Sequence, residues 1–433
     1  MDARITAEWD PLKTAVICRP GMEMFFCQLA PYDSLYEYAS SRVNAIREHE
    51  GLEHILSHEF HVKVIRLRKI IMEAAERNQD IHDKLMDLAH EVMVEKDEES
   101  SVTSAGKKLE KKENLLDSGR FLDVLLLNPQ IEWQYGHGGG TIHLNKTEKE
   151  LLCEIHLMRD QQAVTDKGIF LSRMGKPQRK QEPNITKLLW EALGLDIVHT
   201  VNRPGTFEGG DFIPLKDFAL VGIGNRTNAS GVQQLLDKGV AFDEIGVVHQ
   251  PKHPLIPSES PDSVVDVHLD TYINIASSGV AIGLEPLLRE AKVDVYHQDA
   301  PGVYEKEKNS IDLYTYITGW GFDVVNITTL EQLSHASNFL TIRDGTILAV
   351  EVEREIKEVL FNLENKAKTE PDRYSVLLNQ AIKDYEQLRE ESEFFPYKKE
   401  LYRHGIDVYP IVLKNLTGGY GAVHSMTAAL ERG

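Results

Sequence analysis

The sequence is poor in cysteine, in long apolar runs and in positive charge. Its 433 residues include three cysteines, which are too few for a disulfide framework. No run reaches the ~18 apolar residues of a membrane-spanning helix, and the polar start "MDARITAEWDPLK" is unlike a secretory signal. Lys and Arg number 48 against 68 Asp and Glu, which gives a formal net charge of -20. Because phosphates and anionic lipids bind basic surfaces, we expect no nucleic-acid or membrane partner. The few cysteines, the polar start and the lack of long apolar runs together predict a cytoplasmic protein.

What the sequence does contain is a repeated alternation of short apolar runs with helical segments. Runs such as "LKTAVICRPG" (12–21) and "FALVGIG" (218–224) are typical of buried strands that end in a turn. This alternation predicts an α/β fold with many short strands. Two charged blocks, 70–116 and 353–402, interrupt it and are predicted to be helical insertions. The second contains Pro371 within "TEPDR", so we expect two helices there.

Carboxylates next to apolar segments are the first candidates for chemistry. In "GTFEGGDFIPL" (205–215), Glu208 and Asp211 flank a Gly-Gly pair directly before an apolar run. Burying two acids beside a core strand costs several kcal/mol unless a cation or hydrogen-bond donors meet them. The pattern therefore indicates either a turn with solvated acids or a buried polar site.

A histidine and two further acids favour the buried site. In "VVDVHLDTYINIA" (264–276), His268 and Asp270 alternate within an apolar strand, so both point to the same face. Asp160 in "EIHLMRDQQAV" lies between a possible strand and a turn. Two chemistries suit this set of residues. Carboxylates and histidine can hold a divalent metal, or carboxylates can hold a planar guanidinium.

A glycine-rich segment near the end of the sequence presents a serine. "LTGGYGAVHSMT" (416–427) places Ser425 after two glycines and a Tyr-Gly pair, and a serine without an activating base is a poor nucleophile at neutral pH. His424 is adjacent, but neighbours in an extended segment point to opposite sides. We therefore do not expect His424 to serve position 425.

The order of these segments resembles the arginine deiminase group of guanidine-modifying enzymes. The matching segments are "WDPLKTAVICRPG", "HLMRDQQ", "FEGGDFIPL" with "FALVGIGNRT", "VHLDT" and "GGYGAVHSMT". The resemblance implies a pseudo-fivefold propeller of ββαβ units with helical insertions, forming a single catalytic domain over 1–433. It also implies a homo-oligomer, and we expect no cofactor and no metal.

The same resemblance implies roles for the acids and the histidine. Asp160 and Asp270 would grip the nitrogens of a guanidinium. His268 would relay protons and activate water, Glu208 would orient it, and Asp211 would support the site. Two carboxylates can fix the plane of a guanidinium and compensate its charge, and a histidine can give a proton to ammonia and later take one from water.

The chain also departs from the family's pattern. The family's nucleophilic cysteine corresponds to Ser425, and all the partner residues are kept, so we expect an engineered inactive variant rather than a natural serine homologue. Arg179 and Arg226 match arginines that hold a substrate carboxylate, but a third such arginine is Thr417 here. Glu154 replaces an asparagine and is expected to meet an ammonium or another cation.

The favoured function is hydrolysis of L-arginine to L-citrulline and ammonia through a cysteine-thiouronium intermediate. The alternatives are an amidinotransferase, a deiminase of agmatine or another guanidine, and a non-catalytic arginine sensor. A carboxylate-histidine metal hydrolase is a further alternative, which metal analysis would test. In each of the guanidine alternatives the expected partner is a small cationic guanidine.

Overall fold

The computed structural model describes most of the chain. The described residues are 2–27, 29, 31, 34–92, 95–96, 117–127, 130–136, 139–145, 151–257, 268–300, 302–307 and 309–433. Residues 93–94 and 97–116 of the predicted insertion at 70–116, and the first four residues of "VVDVHLDTYINIA", lie outside them.

Short strands run through the whole described chain, as the alternation of apolar runs predicts. Many are buried along their full length, for example "FIPL" and "VAIG", which explains why they read as continuous apolar runs instead of alternating ones. The strands are β1 (Leu12–Ile17), β2 (Lys63–Arg66), β3 (Glu95–Lys96), β4 (Gln130–Gly136), β5 (Gly139–Asn145), β6 (Gln162–Thr165), β7 (Gly168–Leu171), β8 (Ile197–Thr200), β9 (Phe212–Leu215), β10 (Phe218–Ile223), β11 (Glu244–His249), β12 (Ile273–Ser277), β13 (Val280–Gly283), β14 (Lys292–Ala300), β15 (Val303–Lys306), β16 (Ile311–Asp312), β17 (Asp323–Asn326), β18 (Leu340–Arg343), β19 (Thr346–Val350), β20 (Asp407–Ile411) and β21 (Ala428–Arg432).

The helices lie mainly between strands. A representative one, at 229–238, begins where the Asn228 side chain accepts a hydrogen bond from the Gly231 amide, and it ends at Gly239 with φ 70°. The helices are α1 (Met22–Cys27), α2 (Arg42–His54), α3 (Leu67–Arg77), α4 (Gln79–Val92), α5 (Ser118–Leu127), α6 (Glu182–Leu193), α7 (Ala229–Lys238), α8 (Glu285–Glu290), α9 (Leu313–Gly319), α10 (Thr329–Leu333), α11 (Val352–Thr369), α12 (Pro371–Glu391), α13 (Lys399–Arg403) and α14 (Val423–Met426).

One arrangement of three strands recurs five times. Two antiparallel strands are followed by helix, and the next strand of the sheet lies parallel to the second. We name each unit by its first strand: the β6 unit (β6-β7-β8), the β9 unit (β9-β10-β11), the β12 unit (β12-β13-β17), the β18 unit (β18-β19-β20) and the β21 unit (β21-β1-β2). The β21 unit joins the end of the chain to its beginning, because β21 pairs with β1.

Two helical segments stand apart from these units. The first, within 67–92, consists of α3 and α4, which pack against each other and against α6. The second is the pair α11 and α12, which meet at Glu370 and Pro371, so the prediction of two helices broken at the proline is confirmed. Within the described ranges, no helix combines the length and the apolar character needed to cross a bilayer.

Candidate functional site

The predicted site residues occupy equivalent places in different units. Each lies in the turn just before the first strand of its unit, so the repeat itself directs them toward one another. The buried residues placed in this way are Asp160 before β6, Glu208 and Asp211 before β9, His268 and Asp270 before β12, and Ser425 before β21.

The Gly-Gly pair of "FEGGDF" lets the turn before β9 approach the turns before β6 and β12 closely. A Cβ on Gly209 would lie 2.1 Å from the carbonyl oxygen of Gln162, and one on Gly210 would lie 2.8 Å from Nδ1 of His268 and 2.9 Å from Oδ1 of Asp160. No side chain fits in either place. The glycines are therefore required for the contact between the β6, β9 and β12 units.

His268 lies between two carboxylates. Its Nε2 is 2.8 Å from Oε2 of Glu208 and its Nδ1 is 3.6 Å from Oδ1 of Asp160. Burial by itself would lower the pKa of His268, but Asp160 and Glu208 outweigh that effect and raise the pKa to about 9. The imidazole is therefore protonated at neutral pH and can give a proton.

Glu208 is held in its ionised form by several donors. Burial favours the neutral acid, but Arg226 and His268 outweigh burial and hold the pKa of Glu208 below its ordinary value. The Gly175 amide also donates to its Oε1 at 2.8 Å, and Nη1 of Arg226 donates to its Oε2 at 3.5 Å. Glu208 is thus a fixed acceptor for His268.

Asp211 supports the turn that carries the histidine. Its Oδ1 accepts a hydrogen bond from the Leu269 amide at 3.0 Å, between His268 and Asp270 in the sequence. Burial raises the pKa of Asp211 to about 6. The residue therefore lies where a supporting role was predicted.

Ser425 lies in the four-residue helix α14, which is held by a residue that the sequence did not point to. The amide oxygen of Asn338 accepts from the backbone N–H groups of Ala422 at 2.7 Å and Ser425 at 3.1 Å. Asn338 lies just before β18, the same place that the other site residues occupy in their units. Recognising the fivefold repeat in the sequence would have indicated it.

His424 lies in a helical turn, whereas an extended backbone was expected for it. The segment is helical, and Nδ1 of His424 lies 2.7 Å from Oδ2 of Asp270, while Nε2 lies 3.5 Å from Oε1 of Glu8. The expectation of an extended backbone is wrong. Because both ring nitrogens face acids, His424 is still no base for Ser425, and it pairs with a predicted substrate acid.

Arg179 is surrounded by carboxylates. Nη1 donates to Oδ2 of Asp160 at 2.6 Å, and Nε and Nη2 form a forked pair with Glu182 at 3.0 and 2.8 Å. Oε2 of Glu154 lies 3.1 Å from Nε, and Oε2 of Glu208 lies 3.8 Å from Nη1. Burial alone would lower the pKa of Arg179, but these acids hold it well above its ordinary value. The guanidinium is a buried, charged group inside the predicted site.

Several buried carboxylate oxygens at the site have no hydrogen-bond donor among the residues that the structure describes. They are Oδ1 of Asp160, Oδ1 of Asp270 and both oxygens of Glu154. Burial raises the pKa of Glu154 to about 8, in spite of Arg179 and Arg226 nearby. Unsatisfied buried acceptors are expensive, so a ligand that brings N–H donors would be stabilised here.

A metal could in principle use part of this set. Ligand atoms of Asp160, Glu208 and His268 lie within 4.8 Å of one another. However, Arg179 and Arg226 already contact the two carboxylates. Cationic guanidinium groups thus lie where a metal would need ionised, unpaired ligands, and the donor set fits a guanidinium better.

Neither Cys18 nor Cys153 offers a reactive thiolate. Burial raises the pKa of Cys18 to about 12, so its thiol stays protonated, and Cys153 is disulfide-bonded. Position 425 therefore remains the predicted position of the nucleophile.

Comparisons with known proteins identify the family of the chain. The chain is a member of the guanidine-modifying enzyme superfamily. Within it, the sequence model described as arginine deiminase matches residues 33–432, so the chain belongs to the arginine deiminase family. It is 24% identical to the arginine deiminase of Halobacterium salinarum, in an alignment that covers 99% of this chain and 96% of that protein.

More distant relatives share parts of the sequence or the fold. The chain is 30% identical over 160 residues to the N(G),N(G)-dimethylarginine dimethylaminohydrolase of Streptomyces coelicolor, which covers 36% of this chain and 55% of that protein. A cysteine-to-serine variant of the N-terminal domain of ArgZ, an arginine dihydrolase of cyanobacteria, aligns with a TM-score of 0.52 at 12% identity and covers 97% of this chain and 98% of that one. SxtG, an amidinotransferase from Microseira wollei, aligns with a TM-score of 0.50 at 12% identity, covering 99% and 97%. These structures share the fold.

Proposed function

We propose that this site hydrolyses a guanidino group, and that L-arginine is the substrate, with L-citrulline and ammonia as the products. The observation that carries the proposal is that a guanidinium, that of Arg179, already fits among the buried carboxylates beside His268. The site is therefore complementary in charge and shape to the group that the reaction needs.

In the proposed reaction, Asp160 and Asp270 hold the guanidinium nitrogens and fix the plane of the group. A thiolate at position 425 attacks the guanidinium carbon, a C–S bond forms, and the C–N bond to the leaving nitrogen breaks. His268, protonated at neutral pH, gives the proton that lets ammonia leave. The neutral imidazole then takes a proton from water, which attacks the carbon, and the C–S bond breaks to release the ureido product.

Serine at position 425 makes this chain a poor catalyst. A serine hydroxyl is not ionised at neutral pH, whereas a thiolate would be stabilised by the cationic substrate beside it. We infer that the chain as it stands binds its substrate and turns it over slowly or not at all.

We also infer that the five units close into a pseudo-fivefold propeller. The β21 unit takes strands from both ends of the chain, which is how a ring of repeats is closed, and the site residues lie at one equivalent place in each unit. A central channel lined by these turns would admit the guanidinium.

Restoring cysteine tests the proposed function. We expect Ser425→Cys to raise the rate of citrulline and ammonia release from L-arginine by roughly 10³-fold or more, because it supplies the missing nucleophile. The control is the double variant Ser425→Cys with His268→Gln, which should lose that gain. If Ser425→Cys releases ammonia from neither arginine nor agmatine, the proposed hydrolase function is wrong.

One contact favours a second candidate, a deiminase of a guanidine without a carboxylate. Thr417, at the position of a carboxylate-binding arginine in the family, donates from Oγ1 to Oε2 of Glu355 at 3.1 Å. This position therefore presents an acid instead of a cation. A comparison of L-arginine with agmatine in the Ser425→Cys variant separates the two substrates.

A further inference from the structure

Arg179 makes contacts that leave it little capacity to bind a substrate carboxylate. All three of its guanidinium nitrogens donate inside the protein: Nη1 to Asp160, Nε to Glu182, and Nη2 to Glu182 and to the carbonyl oxygen of Leu157 at 3.4 Å. A guanidinium has five N–H donors in a fixed fork. This fork is already matched to carboxylates that belong to the chain.

We propose that Arg179 is a resident guanidinium that competes with the substrate for Asp160. The inference rests on the proposed function, because it assigns Asp160 to the substrate's guanidinium. Oδ2 of Asp160 is taken by Arg179 at 2.6 Å, and Oδ1 has no hydrogen-bond donor. A substrate that uses both oxygens of Asp160 in a forked pair must take Oδ2 from Arg179.

Electrostatics also oppose the simultaneous presence of both guanidinium groups. A second guanidinium bound to Asp160 would lie within a few ångströms of Arg179 in a buried site, where like charges repel strongly. Protonated His268 lies 3.6 Å from the same carboxylate and adds to that repulsion. Binding of the substrate and release of Asp160 by Arg179 are therefore coupled.

Arg179 has an alternative set of partners when it gives up Asp160. Glu182 is three residues away, begins α6 and is itself fully buried, and Gln161 donates to its Oε2 at 2.7 Å. Glu154 lies on the same side, with Oε2 3.1 Å from Nε. A small rotation that keeps the Glu182 fork and strengthens the Glu154 contact would release Asp160 without leaving a buried charge unpaired.

The competitor role and the carboxylate-binding role predict opposite effects of one substitution. If Arg179 competes with the substrate, Arg179→Lys, which keeps the charge but shortens the side chain and removes the fork, should bind guanidines more tightly. If Arg179 holds the substrate carboxylate, the same variant should bind L-arginine more weakly and agmatine unchanged. The matched control is Arg226→Lys, since Arg226 is equally buried but contacts Glu208 and not Asp160.

Calorimetry on the Ser425 chain gives the measurement without turnover. We expect Arg179→Lys to lower the Kd of both L-arginine and agmatine by ~10- to 100-fold, because a competitor that holds a site about 90–99% of the time weakens the apparent affinity by that factor. Arg226→Lys should produce no such gain. A weaker or unchanged affinity of Arg179→Lys for L-arginine would overturn the inference, while citrulline release by Ser425→Cys would leave the proposed function standing.

A second measurement tests the place that the Arg179 guanidinium occupies, and it needs no enzymatic activity. Arg179→Ala leaves an empty place lined by Asp160, Glu182 and Glu154, and methylguanidinium at low millimolar concentration should refill it. We expect methylguanidinium to raise the melting temperature of Arg179→Ala by more than that of the unchanged chain, with methylammonium as the control ion. Equal effects of the two ions would contradict a site built for a guanidinium.

Discussion

Asp160 and Asp270 occupy equivalent places in the β6 and β12 units, but the chain pairs them with different kinds of groups. Asp160 meets Arg179, whose guanidinium stays charged at every pH that a folded protein meets. Asp270 meets the imidazole ring of His424. One acid is thus held by a permanent cation and the other by a histidine ring.

This difference bears on how each acid would be released for a substrate. Asp270 can exchange its contact with an imidazole for one with a guanidinium, and no buried guanidinium is left without a partner. Asp160 can be released only if Arg179 keeps another carboxylate, which Glu182 supplies. We therefore locate the main barrier to substrate binding on the Asp160 side.

The comparison also changes the interpretation of Ser425. Retention of every acid and of His268 was the reason for expecting an engineered variant. Both predicted substrate acids have internal partners in the structure, so each also contributes to the stability of the fold. A natural serine homologue would keep them too, and the retention of these residues does not distinguish the two origins.

The largest effect that would test the comparison is a loss of stability. We expect Asp160→Asn to lower the free energy of unfolding by about 3–5 kcal/mol, because it leaves a buried Arg179 with one carboxylate fewer. Asp270→Asn should cost about 1–2 kcal/mol, since the imidazole ring of His424 can still form a hydrogen bond with the amide. Urea denaturation of both variants measures the difference, and equal losses would remove the distinction between the two acids.

The chemistry-bearing residues of the site could be predicted from the sequence because their types and their positions beside apolar runs are local features. Glu208, Asp211 and His268 are examples, since each lies next to a strand that a reader can find. The strands themselves are short apolar runs, and they too could be found from the sequence.

What the sequence could not show is which side chain meets which. Arg179 and Glu182 are three residues apart, but no local sequence pattern indicates that the Arg179 guanidinium also contacts Asp160. The helical turn at His424 is stabilised by Asn338, more than 80 residues earlier, while "AVHSM" read alone favours an extended segment. Both features are set by long-range contacts.

A smaller effect should follow from adding a side chain at Gly210, where the turn before β9 contacts Asp160 and His268. A Cβ on Gly210 would lie within 3 Å of His268 and Asp160, so we expect Gly210→Ala to cost about 1–3 kcal/mol through overpacking. The matched control is Gly279→Ala in the turn before β13, where a Cβ meets nothing within 4 Å, and it should stay within about 0.5 kcal/mol. Thermal denaturation compares them; equal losses would mean that the close approach of the turns contributes nothing.

The last effect is a gradual dependence of stability on pH that belongs to the Asp160 side. The folded-state pKa values of His268 and Glu154 are raised to about 9 and about 8. Between pH 6.5 and 9 the folded state therefore binds more protons than the unfolded state, and stability falls as pH rises, by at most about 1.4 kcal/mol per pH unit for each group. Glu154→Gln should flatten the fall below pH 8, because it removes the group with a pKa of about 8. Melting temperatures measured across this range, with a rise instead of a fall toward pH 9, would show that these two groups do not keep their protons in the folded protein.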